Sequence, residues 1–440
     1  MYRIPPTVTD ILARLEAAGF SAYAVGGAIR DLIRGVTPHD WDITTAAKPE
    51  QVMEVFRNET IIPTGLKHGT VTLVIDHIPY EITTYRGETG YSDHRRPDEV
   101  QFLDSIEADL ARRDFTAGAI AYSPTRGFCD PYGGVADVKA NVLRAVGDPM
   151  TRFEEDGLRI LRALRFASSC GFTIEENTAR ALHEGKKLIR PIAAERIYSE
   201  LTRTLCGDGV EQVLLDYPDV IAVAIPELEP LFDCPQSSSF HNKDVWAHTA
   251  HAVSAVPALP ALRWTMLFHD IAKPLCRVRD EKGRDHFKGH PEKGAPIAGA
   301  ILCRLKADRT TTDAVTALVA LHDINLPVHR PEMHRLLIRL GRERIEQLFT
   351  VKQADLAAKA PLAASHGRDA SLSVAIEVFN ELLADGAPLS ARDLAVNGTD
   401  LIRLGYRGKQ IGEMLEKLLY ATTEGTPNTR DALLAFCDSL

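Results

Sequence analysis

The chain has 440 residues, enough for roughly two to four domains with cores of their own. Its composition is ordinary for a globular protein, with 45% hydrophobic and 25% charged residues. The formal charge of −9 argues against a protein that coats nucleic acid indiscriminately, but a local basic groove can still hold a specific RNA. The seven cysteines form no C-x-x-C pair, so we expect free thiols in a reducing cytoplasm, without a disulfide framework or zinc ribbon. No apolar run approaches a membrane span, and we expect no membrane partner.

Helical and strand patterns alternate in the first 138 residues, and helical periodicity dominates from about residue 139 to the end. In chain order, we predict a helix over 7–19, strands over 22–25 and 40–44, a helix over 49–57, and strands over 70–75 and 79–84. The polar segment 86–99 predicts a long functional loop. Proline clusters predict domain boundaries near 226–235 and 327–331.

Two aspartates one residue apart, Asp40 and Asp42, carry the first chemical signal. On a strand they point to the same face, and two converging carboxylates repel each other unless a cation lies between them. Oxygen ligands of this kind suit Mg²⁺, which also accepts the phosphate oxygens of a substrate. Upstream, the pair Gly26-Gly27 lets the backbone approach a triphosphate, and Arg30 offers phosphate a bidentate fork. The alternative is a solvated surface turn after Pro38.

Two further segments add arginines to this picture. Adjacent arginines stand at 112–113 within the motif RRDFT, and the segment EEDGLRILRALRF follows at 154–166. In the second segment Asp156 and Arg159 are helical neighbours, as are Arg159 with Arg162 and Arg162 with Arg165. An Asp accepts hydrogen bonds and an Arg donates them, so the pair Asp156–Arg159 can accept cytosine and adenine and reject guanine and uracil. The alternative for both segments is a solvated, charged helix face.

In this order, the motifs GGAIRD, DWD, RRDFT, EEDGLRILRALRF and AERI resemble those of class II CCA-adding tRNA nucleotidyltransferases. These are polymerase-beta-type enzymes that build the 3′ CCA end of tRNA from CTP and ATP, and the resemblance covers nearly the whole chain. It implies an α+β fold, in which a small mixed-sheet head is followed by a long all-α region that includes an HD-type helical domain. The implied partners are tRNA, CTP and ATP, with no DNA.

The resemblance also implies roles for individual residues. Asp40 and Asp42 would hold Mg²⁺, and Glu81 is a candidate third carboxylate on a neighbouring strand. The remaining implied positions contact the nucleotide through its phosphates, sugar or base: Gly27, Arg30, Arg113, Asp156, Arg159, Arg162 and Arg165. Segment 86–99, with Arg86, Tyr91, Asp93 and Arg95, resembles the family's flexible loop, and 391–419 resembles its tRNA-binding tail. One position departs from the family, because Gly118 stands where Asn is usual.

A separate signal lies at 240–334, which holds nine of the fifteen histidines. His248, His269, Asp270 and Asp323 match the H…HD…D pattern of HD-type metal-dependent phosphohydrolases. Imidazole and carboxylate together suit Ni, Mn, Fe or Mg. We expect a divalent metal there and an accessory phosphohydrolase activity, with a blocked tRNA 3′ end as the sensible substrate. The alternative is an RNA-binding scaffold without hydrolysis.

The predicted domains are a nucleotidyltransferase head at 1–138, a helical neck for base recognition at 139–235, an HD-type domain at 236–330 and a tRNA-binding tail at 331–440. Two alternatives to CCA addition stay open. The first is bacterial poly(A) polymerase, whose members tend to carry a basic C-terminal extension, whereas this sequence ends in ALLAFCDSL. The second is a metal phosphohydrolase with a head that only binds. The sequence predicts no oligomeric state.

Overall fold

The computed structural model describes residues 4–38, 40–89, 99–237, 244–359 and 368–439. The chain divides into two compact units, Met1–Glu229 and Pro230–Leu440. The four-domain division is finer than this and stays a prediction. None of the described helices is both long and apolar enough to cross a membrane.

The first unit is built on a seven-stranded sheet, counted over its described residues, in the order β3-β4-β5-β2-β1-β8-β9. These strands are β1 (Ala22–Val25), β2 (Asp42–Thr45), β3 (Thr60–Gly65), β4 (Thr70–Ile75), β5 (Ile78–Thr84), β8 (Ala121–Ser123) and β9 (Gly127–Cys129). Strand β2 pairs with β5 in parallel, and the other pairs of the sheet are antiparallel. Strands β6 (Arg86–Thr89) and β7 (Glu99–Phe102) form a separate antiparallel pair. The central strands are rich in Val, Ile and Thr, as expected for a sheet with a buried face.

Helices cover and extend this sheet. Within the head they are Pro6–Ala17, Gly27–Ile33, Pro49–Val55, Ile106–Ala111 and Gly134–Lys139. The rest of the first unit contains Pro149–Glu155, Leu158–Cys170, Glu176–Gly185, Ala194–Leu205, Val210–Asp216 and Pro218–Ala224. In Leu158–Cys170 the leucines at 158, 161 and 164 are buried, because residues three or four apart share one helix face. Two short strands, β10 (Val142–Leu143) and β11 (Thr173–Ile174), pair in parallel beside it.

The second unit is predominantly helical. Its α-helices are Val245–Ala255, Pro260–Phe268, Lys273–Cys276, His290–Arg304, Arg309–Leu321, Arg330–Leu340, Arg342–Ala358, Arg368–Ala384, Gly398–Arg403, Lys409–Thr423 and Arg430–Asp438. One short antiparallel pair, β12 (Val278–Arg279) with β13 (Asp285–His286), interrupts them. Two apolar cores lie toward its C-terminal part, one around Phe349 and Phe379 and the other around Leu418 and Leu433.

The predicted α+β arrangement, a mixed-sheet head followed by a long helical region, is confirmed, although β10 to β13 mean that this region is not purely helical. The predicted strand 40–44 was wrong at its start, because β2 begins at Asp42 and Asp40 precedes it. The predicted loop 86–99 was also wrong at its beginning, since β6 pairs with β7 there. The positions predicted at Tyr91, Asp93 and Arg95 lie outside the described residues.

Two adjacent glycines after β9 serve different purposes. Gly133 has a φ of 70°, a left-handed conformation that favours glycine. Gly134 begins a helix that packs closely against Thr116, and a Cβ at Gly134 would lie 2.1 Å from the Thr116 carbonyl oxygen. A Cβ at Gly118 would meet nothing within 4 Å.

Gly134→Ala should therefore destabilise the head by about 1–3 kcal/mol, because backbone has to move to make room for the methyl group. Gly118→Ala is the matched control and should leave the free energy of unfolding nearly unchanged. Chemical denaturation followed by circular dichroism measures both. Equal stability of the two variants would contradict the close packing at Gly134.

Candidate nucleotide-binding site

A cavity of about 570 Å³ opens in the first unit at the end of the sheet. Its lining includes seven arginines and three aspartates: Arg30, Arg86, Arg112, Arg113, Arg159, Arg162, Arg165, Asp42, Asp114 and Asp156. This excess of positive charge suits a polyanion, because guanidinium groups bind phosphate oxygens in a bidentate manner. Most residues predicted to contact a nucleotide are therefore brought together, including Gly27 in the same lining.

Carboxylates lie at one edge of this cavity. Asp42, the first residue of β2, is in register with Glu81 on β5, so their side chains emerge side by side on the same face of the sheet. Both are exposed, as is Asp40 just before the strand. Desolvation and the carboxylate of Glu81 raise the pKa of Asp42, with a further contribution from Asp40, whereas Arg113 opposes the shift. Of Asp40, Asp42 and Glu81, Asp42 alone is among the residues that line the cavity.

The turn between β1 and the following helix brings the backbone close to the arginines. Gly26 has a φ of 73°, and a Cβ there would lie 2.9 Å from Nη1 of Arg113. Arg113 in turn donates to the carbonyl oxygen of Gly118 at 3.3 Å. The sequence named both glycines, Gly26 and Gly27, for close backbone approach, and the left-handed conformation that favours glycine lies at Gly26. The open space at Gly118 shows that a Cβ would fit at this position, where Asn is usual in the family.

A buried carboxylate holds the arginine pair in place. Asp109 is 0% exposed and contacts Arg112 at 3.0 Å and Arg113 at 3.5 Å. The same carboxylate accepts a hydrogen bond from Thr44 on β2 and from the backbone amide of Arg86. Asp109 therefore ties the arginine pair to the strand that carries Asp42.

The two residues predicted to recognise the base both line the cavity, but each already has protein partners. Asp156 accepts from Arg196 at 2.9 Å through Oδ2 and from the amide of Leu158 through Oδ1. Arg159 is 5% exposed, and its Nε lies 2.8 Å from Asp114. It also contacts Glu155 and the carbonyl oxygens of residues 112 and 152. In this structure Arg159 therefore joins the helix Leu158–Cys170 to the head.

The other predicted arginines are also held by carboxylates or rings. Nε of Arg162 lies 2.7 Å from Asp114, and Nε of Arg165 lies 2.8 Å from Glu200. The guanidinium of Arg165 stacks over the Phe166 ring at 4.2 Å, and that of Arg30 lies 5.3 Å from the same ring centroid. Phe166 is thus an aromatic face shared by two cations.

Sequence reasoning missed several residues that arrange this site: Asp109, Asp114, Glu155, Arg196 and Glu200. Four of them lie in or beside motifs already singled out, since Asp114 belongs to RRDFT, Asp109 precedes it, Glu155 belongs to EEDG and Arg196 belongs to AERI. The motif signal was present, but it could not show which carboxylate faces which arginine.

The second unit holds the predicted histidine site, with one difference. The ligand atoms of His248, His269 and Asp270 lie within 4.8 Å of one another, and those of Asp270, His290 and His322 form a second such group. Asp323 belongs to neither group. The carboxylate that contacts His248, at 3.1 Å, is that of Asp355 on the helix Arg342–Ala358, and no sequence pattern marked it.

Three of these groups, His248, Asp270 and His322, are in the state that metal ligands need. His269 is the exception, because burial alone would lower its pKa but the carboxylate of Asp270 outweighs burial and raises it. Burial and the neighbouring His269 lower the pKa of His322 to about 3, so its ring is neutral. Burial also lowers the pKa of His248. Burial alone would raise the pKa of Asp270, but His269 and Lys273 outweigh that effect and hold it well below its usual range. Neutral imidazole and ionised carboxylate are the forms that bind cations.

Two family models and several solved structures are similar to this chain. The family described as "Poly A polymerase head domain" matches residues 22–144, and "Probable RNA and SrmB- binding site of polymerase A" matches residues 171–231. Among similar solved structures is the Bacillus stearothermophilus CCA-adding enzyme in complex with CTP, with a TM-score of 0.69 and 28% identity over 96% of this chain and 94% of that one. The Thermotoga maritima CCA-adding enzyme complexed with tRNA shares the fold, with a TM-score of 0.62 at 19% identity over 99% of this chain and 96% of that one.

Curated relatives are similar in sequence to this chain along nearly its full length. The CCA-adding enzyme of Lactobacillus delbrueckii subsp. bulgaricus is 33% identical over 97% of this chain and 95% of its own length. That of Leuconostoc mesenteroides is 34% identical over 97% of this chain and 94% of its own length. From the identity and coverage of these relatives, the chain belongs to the family of CCA-adding enzymes.

Proposed function

We propose that this protein adds C, C and A to the 3′ end of tRNA from CTP and ATP without a nucleic-acid template. The observation that carries the proposal is the cavity in which seven arginines lie beside Asp42. A triphosphate needs several cationic partners, and nucleotidyl transfer needs carboxylates that hold a divalent cation near the attacking hydroxyl. Two CCA-adding enzymes are 33% and 34% identical to this chain, and each alignment covers nearly the whole length of both proteins. This similarity supports the same reaction here.

Asp40, Asp42 and Glu81 are the proposed Mg²⁺ ligands. Desolvation, Glu81 and Asp40 together raise the pKa of Asp42, and a bound cation would offset the cost of ionising it there. All three offer only oxygen, the donor that Mg²⁺ prefers, and they are exposed enough for the ion to keep several waters. When bound, Mg²⁺ activates the 3′ hydroxyl and neutralises charge that develops on the phosphate. Arg113, which packs against Gly26, is placed to contact the nucleotide's phosphates.

Base selection is proposed for Asp156 and Arg159, which lie in the same cavity wall. Asp156 is held by Arg196, which fixes the orientation of its carboxylate without using all of its lone pairs. For Arg159 to contact a base, the nucleotide has to replace one of its present partners, such as Asp114 or Glu155. We propose that this exchange couples nucleotide arrival to the junction between the head and the helix Leu158–Cys170.

A second divalent cation is proposed for the histidine cluster of the second unit, as the sequence predicted. The two groups of buried histidine and aspartate ligand atoms support it. Nitrogen donors favour Ni, Mn or Fe there over the Mg²⁺ proposed for the head.

With tRNA that lacks its CCA end, we expect CTP alone to give two added residues and CTP with ATP to give three. Because Asp156 and Arg159 are proposed to select the base, no nucleic-acid template is needed. Sequencing of the product 3′ ends measures this. Long A-tails on any RNA would favour poly(A) polymerase instead, and no addition with any nucleotide would favour a head that only binds.

Asp42→Asn should abolish addition and, in the absence of divalent cations, raise the melting temperature at neutral pH. A carboxyl whose pKa is raised by folding stabilises the protein at low pH, and this stability is lost as the pH rises through the raised pKa. At neutral pH ionised Asp42 therefore opposes folding, and a neutral Asn does not. Mg²⁺ should then raise the melting temperature of the wild type more than that of the variant.

Asp76→Asn is the matched control, because it removes one exposed carboxylate from a turn of the same sheet. This variant should keep both full addition and the response to Mg²⁺. Addition near the wild-type rate by Asp42→Asn, or an equal Mg²⁺ response in it, would contradict the metal assignment.

Asp156→Ala should reduce discrimination against UTP and GTP by roughly 100-fold or more, while binding of the triphosphate weakens less. A site that selects by paired hydrogen bonds rejects the wrong base by leaving buried polar groups unsatisfied. Single-turnover rates with each of the four nucleotides measure this. Glu154→Ala removes an exposed carboxylate two residues away and should leave selectivity intact. If Asp156→Ala loses rate equally with all four nucleotides, its carboxylate does not select the base.

A further inference from the structure

Arg34 stands at the C-terminal end of the helix Gly27–Ile33 and is half-buried. The first turn of the same helix brings Gly27 and Arg30 into the nucleotide cavity, whereas Arg34 lies outside the described lining of that cavity. A guanidinium group that is partly removed from water needs partners within the protein, because its charge is costly to bury unless it is paired.

Both contacts of Arg34 are made with the turn that ends the helix Leu158–Cys170. Its Nη2 atom donates a hydrogen bond to the carbonyl oxygen of Cys170 at 2.5 Å. Its guanidinium carbon lies 5.2 Å from the centroid of the Phe172 ring. Gly171, between these two residues, has a φ of 65°, the left-handed conformation that commonly ends a helix. The last carbonyls of a helix have no donor within the helix, and Arg34 supplies a charged one to Cys170.

A second contact between the same two helices has the same spacing. Arg30 is four residues before Arg34, and its guanidinium carbon lies 5.3 Å from the ring centroid of Phe166, which is four residues before Cys170. Residues four apart share one face of a helix and are about 6 Å apart along its axis. Two contacts at equal spacing on both helices fix the shift of one helix along the other.

The opposite end of the helix Leu158–Cys170 is held to the head by a different group. The Nε atoms of Arg159 and Arg162 lie 2.8 and 2.7 Å from the carboxylate of Asp114. All three of these residues line the cavity, where a nucleotide can replace them as partners of one another. Roughly 16 Å along the helix axis separate Arg159 from Cys170. The hydrogen bond from Arg34 is therefore remote from the groups that a nucleotide displaces.

We propose that Arg34 is a positioning residue for base selection. It holds the C-terminal end of the helix Leu158–Cys170 in register with the glycine turn that approaches the phosphates, while Arg159 at the other end exchanges a protein partner for the base. The inference rests on the proposed function, and it adds the fixed point from which Asp156 and Arg159 are placed. Hydrogen bonds to a base form only at about 2.7–3.2 Å, so a small shift of this helix removes them.

A simpler role for Arg34 is stabilisation alone. A cation near the C-terminus of a helix stabilises that helix whatever the helix does. In that case, loss of the cation lowers the melting temperature and reduces the rate to the same extent with every nucleotide. Positioning instead predicts a loss that depends on the base, because only a nucleotide that uses Asp156 and Arg159 is affected by their displacement.

The test compares two variants of the full chain. Arg34→Met keeps a long unbranched side chain but removes the charge and the donors, and Arg34→Lys keeps both. With tRNA that lacks its CCA end, kcat and KM of the first addition are measured for CTP and for UTP. We expect Arg34→Met to lower kcat with CTP by about 10- to 100-fold, since small misplacements of a bound substrate have effects of this size. KM should change little, the rate with UTP should fall much less, and Arg34→Lys should restore most of the discrimination.

Arg57→Met is the matched control. Arg57 also lies just beyond the end of a helix of the head, but it is exposed and contacts the exposed Glu54 at 2.9 Å. This variant should keep the wild-type kcat and discrimination. Melting temperatures are measured for all variants, and the assays are run below the lowest of them. If Arg34→Met does not fold, Arg34→Gln, with a shorter and uncharged donor, takes its place and must show the same base-dependent loss.

A double-mutant cycle tests whether Arg34 acts through the base-selecting residues. In an Asp156→Ala background, Arg34→Met should reduce discrimination little further, because the contact that it positions has already been removed. Fully additive losses would overturn the assignment, as would an equal loss of rate with CTP and UTP or wild-type discrimination in Arg34→Met. No addition by the wild-type chain would overturn the proposed function and this inference with it, and the wild-type assay distinguishes that failure from the others.

Discussion

Repulsion among arginines is the constraint on which the nucleotide cavity depends. Seven guanidinium groups line one cavity, and without compensation they would drive its walls apart. Carboxylates compensate for them, with Asp109 beneath Arg112 and Arg113 and with Asp114 between Arg159 and Arg162. Asp109 is buried behind the arginine pair, whereas Asp114 shares the lining with the arginines, and the seven arginines of the lining still outnumber its three aspartates. The cavity therefore stays positive toward a ligand.

The same carboxylates connect parts of the chain that are distant in sequence. Asp109 joins the arginine pair to β2 through Thr44, and Asp114 joins the head to the helix Leu158–Cys170 through Arg159. Under the proposed function, a nucleotide that displaces such a contact would change the link between the proposed metal-binding carboxylates and the residues proposed to select the base. Buried ion pairs add little net stability, since desolvation offsets attraction, but they specify one arrangement of the parts. In this protein, the arrangement that the ion pairs specify is that of the residues lining the cavity.

Much of the site followed from motifs. Asp42, Arg30 and Arg113 were expected to converge because each lay in a short pattern with a chemical meaning, and they line one cavity. Two differences between the sequence predictions and the structure have local causes. Asp40 was assigned to a strand that begins two residues later. Asp323 was assigned from the H…HD…D pattern and stays a prediction, whereas Asp355, which contacts His248, lies on a helix more than thirty residues further along the chain. A pattern of neighbours in sequence cannot identify a partner that only folding brings near.

By itself, the sequence determined which chemical groups this chain carries in short patterns: paired carboxylates, clustered arginines and a region rich in histidine. These patterns are defined by residue type and by short spacing in the sequence, and neither depends on how the chain is folded. Only the tertiary structure decided which carboxylate restrains which arginine, and that Glu81 stands in register with Asp42. It also decided that Asp270 faces two histidine pairs rather than one. The reason is that electrostatic contacts act over a few ångströms, and distances of that size between remote residues exist only once the backbone is folded.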